Sequence, residues 1–368
     1  MFDQKPKACE VTLEVDGEEY AGWTEAEITR RLDAVSGAFR LQVADRWDGA
    51  SASEPFPIEE GAECVLKIDG EEVITGYIDQ LNPSLDARGG SNLAVSGRDA
   101  AADLIDCDAE VKTYKNITLD SLALQLCDPF SIPVMSMTPS LELFDVWSVE
   151  PGEKVYQNLE KAARQRGRLI VSDGAGGLII LSSPVQGLAD TALTEGQNIM
   201  AGEGTFDVSG RFSQYTVYAQ RPVKKVGDSP AKAFQVKGEA KDAGVTRFRP
   251  CTINGEVQMH SGQALQRAQW EASIRAARSQ TARVATTGWR QAGGDLWAIG
   301  LRVPVKSPRL MIDSEMLIAG VTFRLSKSGG QTVDLDLARP DAFVPKPEVP
   351  VKKLSKPSAI WSELVGGV

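Results

Sequence analysis

Ile68-Asp69-Gly70-Glu71-Glu72-Val73-Ile74-Thr75-Gly76 recurs without a gap as Ile312-Asp313-Ser314-Glu315-Met316-Leu317-Ile318-Ala319-Gly320. Upstream of each copy stands a second echo, Val35-Ser36-Gly37-Ala38-Phe39 and Val208-Ser209-Gly210-Arg211-Phe212. Two matches in collinear order point to one β-rich module present twice. The glycines of the echoes lie 39 residues apart in the first copy (Gly37 to Gly76) and 110 in the second (Gly210 to Gly320). The second copy therefore carries an insertion of about 71 residues, as a protruding subdomain does.

Around the first copy the pattern is that of short strands and tight turns. Val11 to Val15 alternates and meets Asp16-Gly17, and Cys64 to Ile68 meets Asp69-Gly70 before Val73 to Ile78. Asp-Gly between alternating runs is a hairpin signal. Phe39 to Val43 and Asn92 to Ser96 supply further strands, so residues 1–100 read as a small antiparallel barrel or sandwich. In the second copy, Tyr215 to Tyr218, Leu301 to Val305, Leu317 to Leu325 and Thr332 to Leu337 have the same character. Gly329-Gly330 opens its last strand as Gly89-Gly90 opens the counterpart. Leu93-x-Val95 matches Val333-x-Leu335, and Arg98 and Arg339 follow the two strands.

Between the copies the period changes. Leu119, Leu122 and Leu126 share a helical face that ends at Asp128-Pro129. Val155, Leu159, Ala162 and Ala163 mark a second helix, from Glu153 to about Arg166, before Gly167. Two strands then flank Asp173-Gly174-Ala175-Gly176-Gly177. The expected organisation is a first barrel at 1–100, an α+β domain at 101–184 and a second, discontinuous barrel at 185–221 and 290–342. An inserted subdomain occupies 222–289, with a helix from Ser261 to Ser279 striped by Leu265, Ala268, Ala272 and Ala276. The last segment, 343–368, is an extended tail: Pro345 to Pro357 reads as a polyproline-like tether, and Ile360, Trp361, Leu364 and Val365 read as an apolar anchor for a partner.

Composition narrows the function. Hydrophobic residues make up 42% and charged residues 24% of 368, which is globular usage and enough for two to four compact units. A formal charge of −10 disfavours tight binding to nucleic acid, because phosphate contacts need clustered Lys and Arg. The cysteines at 9, 64, 107, 127 and 251 show no Cys-x-x-Cys spacing and read as reduced thiols. The chain start has no signal-peptide pattern and no apolar stretch approaches membrane-spanning length, so assembly in the cytosol without stable membrane binding is expected.

No residue set reads as catalytic, cofactor-binding or metal-binding. His260 is the single histidine and stands at a helix start, without a partner for a triad or an imidazole site. Asp173 to Gly177 joins two strands and lacks the Gly-Lys-Ser/Thr ending of a phosphate loop, and Gly202-Glu203-Gly204 is no better. Glu59-Glu60, Glu71-Glu72 and Glu142/Asp145 read as solvated edges and turns, which oppose unwanted strand pairing. Arg30-Arg31, Lys224-Lys225 and Arg275/Arg278/Arg283 lack interleaved aromatics on one face, so they fit an acidic neighbouring subunit better than nucleic acid.

The chain resembles a known family. The motifs are Gly22-Trp23-Thr24 with Ile28-Thr29-Arg30, Ala44-Asp45-Arg46-Trp47, Val73 to Asp79 and Val95-Ser96-Gly97-Arg98-Asp99. Leu126-Cys127-x-Pro129-Phe130-x-Ile132-Pro133-Val134, Leu159 to Arg164 and Ser172-Asp173-Gly174-x-Gly176-Gly177-Leu178 continue it. These are similar to the baseplate hub protein of Mu-like contractile-tailed bacteriophages, a relative of the T-even phage hub and of the first part of the type VI secretion spike protein. The resemblance implies a mainly β fold with α+β: two duplicated tail-tube-type antiparallel β-barrels, an intervening α+β domain and an insertion in the second barrel. It implies a non-enzymatic virion protein of the tail baseplate, a homotrimer of near-sixfold symmetry between the tail tube or distal tube protein and a separate central spike protein. Other baseplate proteins are further expected partners, and phage DNA passes without being retained through a predominantly acidic lumen. The competing readings are a tail-tip peptidoglycan-degrading enzyme, the hub module of a type VI secretion-like apparatus, and a carbohydrate-binding adhesin.

Overall fold

The computed structural model of the protein describes residues 8–44, 57–86, 90–220, 236–255 and 259–346. The first strands are β1 (Val11–Val15), β2 (Glu18–Tyr20), β3 (Glu25–Arg31), β4 (Ala38–Ala44), β5 (Glu63–Ile68), β6 (Glu71–Asp86) and β7 (Gly90–Asp99). Both Asp-Gly signals are two-residue hairpin turns, since Val15 pairs with Glu18 and Ile68 with Glu71. φ is 51° and 82° at Asp16 and Gly17, and 51° and 81° at Asp69 and Gly70. Positive φ at both central positions gives the turn the twist that strands need, and Asp-Gly adopts it with little strain.

The middle of the chain forms α1 (Ala102–Asp106), β8 (Thr113–Thr118), α2 (Leu119–Cys127), β9 (Val134–Ser136), β10 (Leu143–Ser148), α3 (Val155–Gln165), β11 (Leu169–Ser172) and β12 (Leu178–Leu181). The Thr118 hydroxyl caps α2 by accepting from the Ser121 N–H at 3.2 Å. Leu119, Leu122, Leu126, Val155, Leu159, Ala162 and Ala163 are buried together, as their helical spacing requires. Asp173 to Gly177 is a turn between β11 and β12, closed by the Asp173 carboxylate on the N–H groups of Ala175 and Gly177 at 2.7 and 2.8 Å. That turn also docks the unit on the first strands, because Thr75 N–H donates to Gly174 O at 3.0 Å.

The remaining elements are β13 (Gly187–Leu188), β14 (Leu193–Thr194), β15 (Ile199–Phe206), β16 (Gln214–Ala219), β17 (Val236–Lys241), β18 (Pro250–Asn254), α4 (Ser261–Arg278), β19 (Gln280–Thr287), β20 (Leu301–Ser307), β21 (Ile312–Ser326) and β22 (Gly330–Ala338). Fourteen strands share one sheet, with the path β15-β19-β22-β21-β3-β4-β7-β6-β5-β1-β2 and with β13, β14 and β20 beside β21. Two runs in it, β3-β4-β7-β6-β5 and β15-β19-β22-β21-β20, have the same order relative to the chain. Where two barrels were expected, the two runs share one sheet that is an open path among the described residues. They join where β3, the end strand of the first run, pairs with residues 320–325 of β21, on the side of the second run. One core spans both, from Leu13, Ile28 and Leu66 to Trp289, Val303 and Leu335.

The register corrects the long echo. A bulge follows Ile78 in its pairing with Gly97, and another follows Ile318 in its pairing with Leu337. Matching the bulges equates Ile78 with Ile318, a spacing of 240 residues, whereas the echo equates Ile68 with Ile312, a spacing of 244. Four residues is an even shift, so it preserves which side chains face the core and the hydrophobic pattern cannot detect it. The double glycines and the match of Leu93 to Val333 have the 240 spacing. The short echo diverges as well: Phe39 lies in the main core, whereas Phe212 packs on Tyr215 with ring centroids 5.9 Å apart.

Tyr215 to Tyr218, read from the sequence as part of the second barrel, lies instead in a separate sheet, β17-β16-β18. Conversely Gln280 to Thr287, read as inserted, is β19 of the large sheet. Both segments alternate, and alternation does not say which sheet a strand joins. Helix α4 covers the small sheet with Ala264, Ala268 and Ala272; Ala268 and Ala272 of the expected stripe are buried, while Leu265 is exposed and Ala264 takes its place. Small residues are required because Gly238 lies so close to Ala264 that an added Cβ would meet its backbone. Arg211 grips Asp242 at 2.8 and 2.9 Å, and this holds the Asp242 carboxyl below its ordinary range. A depressed folded-state value means that the stabilisation is present above about pH 4 and is lost as pH falls through that value. Acid unfolding followed by tyrosine signals is expected to show this loss, and Asp242→Asn should flatten it.

Candidate functional site

Alternation across the large sheet sends Ala26, Ile28, Phe323, Val333 and Leu335 to the core and leaves a polar face opposite. That face carries Glu25, Glu27, Glu203, Asp334 and Asp336 together with Arg31, Arg40, Arg98, Arg283 and Arg324. Most are tied to one another. Asp336 holds Arg31 at 2.5 Å and Arg283 at 2.8 Å, and Arg324 binds Glu27 at 2.6 Å and Asp334 at 2.8 Å. Arg98 reaches Asp79 at 2.6 Å and Asp106 at 2.9 Å, and Arg40 stands directly opposite Glu27. The face is charge-balanced, although the chain as a whole is acidic.

Two strand edges bordering this face lack a neighbour among the described residues. β15 beyond its first residue, Ile199, which bridges Glu195, pairs only with β19, and β6 beyond Ile78 pairs only with β7. Leu85 is 87% exposed and Phe206 42%. A further apolar surface lies on the middle unit, where Met135, Met137, Leu141 and Val146 are exposed.

The residues singled out by sequence are dispersed. His260 caps α4: its Nδ1 accepts from Gln263 N–H at 3.3 Å and its own N–H donates to Gln263 Oε1 at 3.0 Å. Glu71 binds Arg290 at 2.6 Å, Glu142 lies 3.8 Å from Arg166, and Glu59 and Glu60 are exposed turn residues. Gly202-Glu203-Gly204 lies within β15. Arg30 and Arg31 point to opposite faces, Arg30 onto the Ser172 carbonyl at 3.2 Å. Arg275 binds Glu271 at 2.9 Å, Arg278 the Ala342 carbonyl at 3.1 Å and Arg283 Asp336, so they form no common patch. Lys224, Lys225, Ile360, Trp361, Leu364 and Val365 lie outside the described residues.

A depression of about 460 Å³ is lined by Trp270, Glu271 and Arg275, and in it Glu271 is already held by Arg267 and Arg275. Another, of about 510 Å³, is lined by Tyr114, Ser121 and Gln125 and contains no acid. Among the described residues no three His, Cys, Asp or Glu side chains are grouped to hold a metal. Sequence reasoning assigned no role to Asp99. It is fully buried where the first strands meet the middle unit, accepts from the Ser172 hydroxyl and from Ala101 N–H at 2.8 Å, and lies in the field of Arg30. Burial raises its carboxyl above the usual range.

A strand-built body with a balanced polar face and open strand edges fits a structural assembly protein. Residues 10–99 match the N-terminal domain of the Mu phage baseplate assembly protein GpP-like family, 101–182 the second domain of the gp44-like baseplate hub proteins, and 260–346 the fourth domain of GpP. The chain is 34% identical over 343 residues to baseplate hub protein gp44 of Escherichia phage Mu, covering 91% of this chain and 89% of that one. It therefore belongs to the baseplate hub family of Mu-like contractile-tailed phages, a virion tail component that works among other baseplate proteins. The 43 kDa tail protein of prophage MuSo2 from Shewanella oneidensis superposes with TM-score 0.79 at 35% identity, over 92% of this chain and all of that one. A tail protein from Neisseria meningitidis gives 0.75 at 25%, over 93% and 100%. The Escherichia coli type VI secretion component c3393, at 0.54 and 11% over 89% and 76%, shares the fold.

Proposed function

We propose that three copies of the chain close a ring of near-sixfold symmetry in the baseplate, joining the sixfold tail tube to the threefold central spike around a channel for phage DNA. The observation that carries this is the repeated strand order, β3-β4-β7-β6-β5 and β15-β19-β22-β21-β20, within one open sheet. Each run is a duplicated barrel-type module, and two modules per chain turn threefold assembly into near-sixfold geometry. The first module occupies residues up to about 100 and the α+β unit 101–184. The second module is interrupted by a unit that extends from after Phe206 to before Gln280.

In this ring the polar face lines the channel. Net charge led to the expectation of an acidic lining, but the face is balanced, and Arg31, Arg98, Arg283 and Arg324 are ion-paired with carboxylates. DNA is retained where free cations replace its counterions, so arginines already neutralised let it slide. The extended tail, with Ile360, Trp361, Leu364 and Val365, reaches the spike or a neighbouring hub subunit after assembly in the host cytoplasm. The role is mechanical and uses no cofactor. Native mass measurement of the purified protein is expected to give three times the 39.6-kDa chain mass. A stable monomer that degrades purified cell wall would overturn this reading in favour of an enzyme.

A further inference from the structure

We propose that β15 of one copy pairs antiparallel with the outer half of β6 of the next copy, in the register that β3 and β21 already use inside the chain. The proposal rests on the ring reading and specifies which edges close it. Inside the chain, Thr29 stands opposite Thr322 with their hydroxyls 3.1 Å apart, and Glu27 stands opposite Arg324 with an ion pair of 2.6 Å. That junction links the end of one strand run to the side of the other.

The repeat contains the same two edges a second time. The bulge match carries β21 residues 320–325 onto β6 residues 80–85. It also equates Arg98 with Ala338. Their partners Ala38 and Thr281 then correspond, and across the next ladder Thr29 corresponds to Thr205. Two identities support this mapping, because Glu27-x-Thr29 recurs as Glu203-x-Thr205. One pair of edges is joined and buried; the equivalent pair is open on both sides.

Within one chain the open edges are separated by the whole path from β15 through β22, β21, β3 and β7 to β6. Each edge is complementary to its counterpart on another copy, a head-to-tail contact that forms a closed ring when the rotation closes. Transferred register sets Asn82 opposite Thr205, with Leu81 opposite Phe206. The exposed Phe206 ring then gains an apolar neighbour, and two rows of unpaired backbone groups gain partners. Pro83, which has no N–H, falls opposite Gly204, so this interchain ladder is weaker by one donor than the internal one.

The test is disulfide trapping in the full chain, read on non-reducing gels beside native mass. Thr29→Cys with Thr322→Cys serves as the internal standard and should close within one chain. Asn82→Cys with Thr205→Cys is expected to give a covalently closed trimer. The two single variants mixed should give only covalent dimers, and wild type, with its five free cysteines, neither. Asn82→Cys with Gly204→Cys points the thiols to opposite faces and should give no trimer bond. A bond in that displaced pair, or a native trimer with no bond at 82/205, overturns the register while leaving the ring intact. Absence of any trimer overturns the ring reading itself.

Discussion

Gly76→Ala is expected to destabilise the protein by at least about 3 kcal/mol, a fall in melting temperature of about 4 °C or more for a chain of 368 residues. Gly76 lies in β6 where β7 ends. A Cβ there would overlap the Arg98 carbonyl and come within 2.6 Å of Ala100 N and 2.7 Å of Asp99 C. All three are backbone atoms in a paired ladder, so no side-chain rotation relieves the overlap. Gly210→Ala is the matched control, because a Cβ there meets nothing within 4 Å, and its effect should stay within about 0.5 kcal/mol. Thermal unfolding of the two variants beside wild type checks both. Gly320, the echo partner of Gly76, has Asp336 and Arg31 side-chain atoms as its neighbours, at 3.1 to 3.4 Å. The two glycines match in sequence but not in role.

Asp99→Ala should cost about 3 kcal/mol or more. It leaves the buried Ala101 N–H and Ser172 hydroxyl without their acceptor and removes the carboxylate that balances Arg30. Asp99→Asn keeps an acceptor and the shape but drops the charge, so its loss relative to wild type reports the charge interaction with Arg30, and the further loss in Asp99→Ala reports the missing acceptor. The pH dependence has a definite sign. Burial raises the folded-state value of Asp99, so the folded protein binds this proton more tightly than the unfolded chain does. Its contribution therefore declines as pH rises from about 4 through the folded value, opposite to that of Asp242. Denaturant unfolding across that range is expected to show Asp99→Asn lacking the decline.

Much of the fold is legible locally. Both Asp-Gly hairpins, the faces of α2 and α3 and the cap at His260 follow from residues a few positions apart, where spacing alone fixes geometry. The candidate face was much less legible. Arg324 and Glu27 are separated by 297 residues and Arg31 and Asp336 by 305, so nothing local announces that the charges cancel. Net charge sums over the whole surface, whereas strand pairing selects which charges share a face.

By itself the sequence determined the family, that of phage baseplate hubs, and it led to the expectation of a β-rich module present twice around an α+β unit with the second copy interrupted. Those properties are stored in period, turn residues and motifs, all of short range. Only the tertiary structure decided the register of the repeat, which strands belong to the insertion, and the joining of β3 to β21 that leaves the equivalent edges of β6 and β15 open. Alternation repeats every two residues and is blind to an even shift and to the choice of sheet. Backbone hydrogen bonds between distant strands remove that degeneracy.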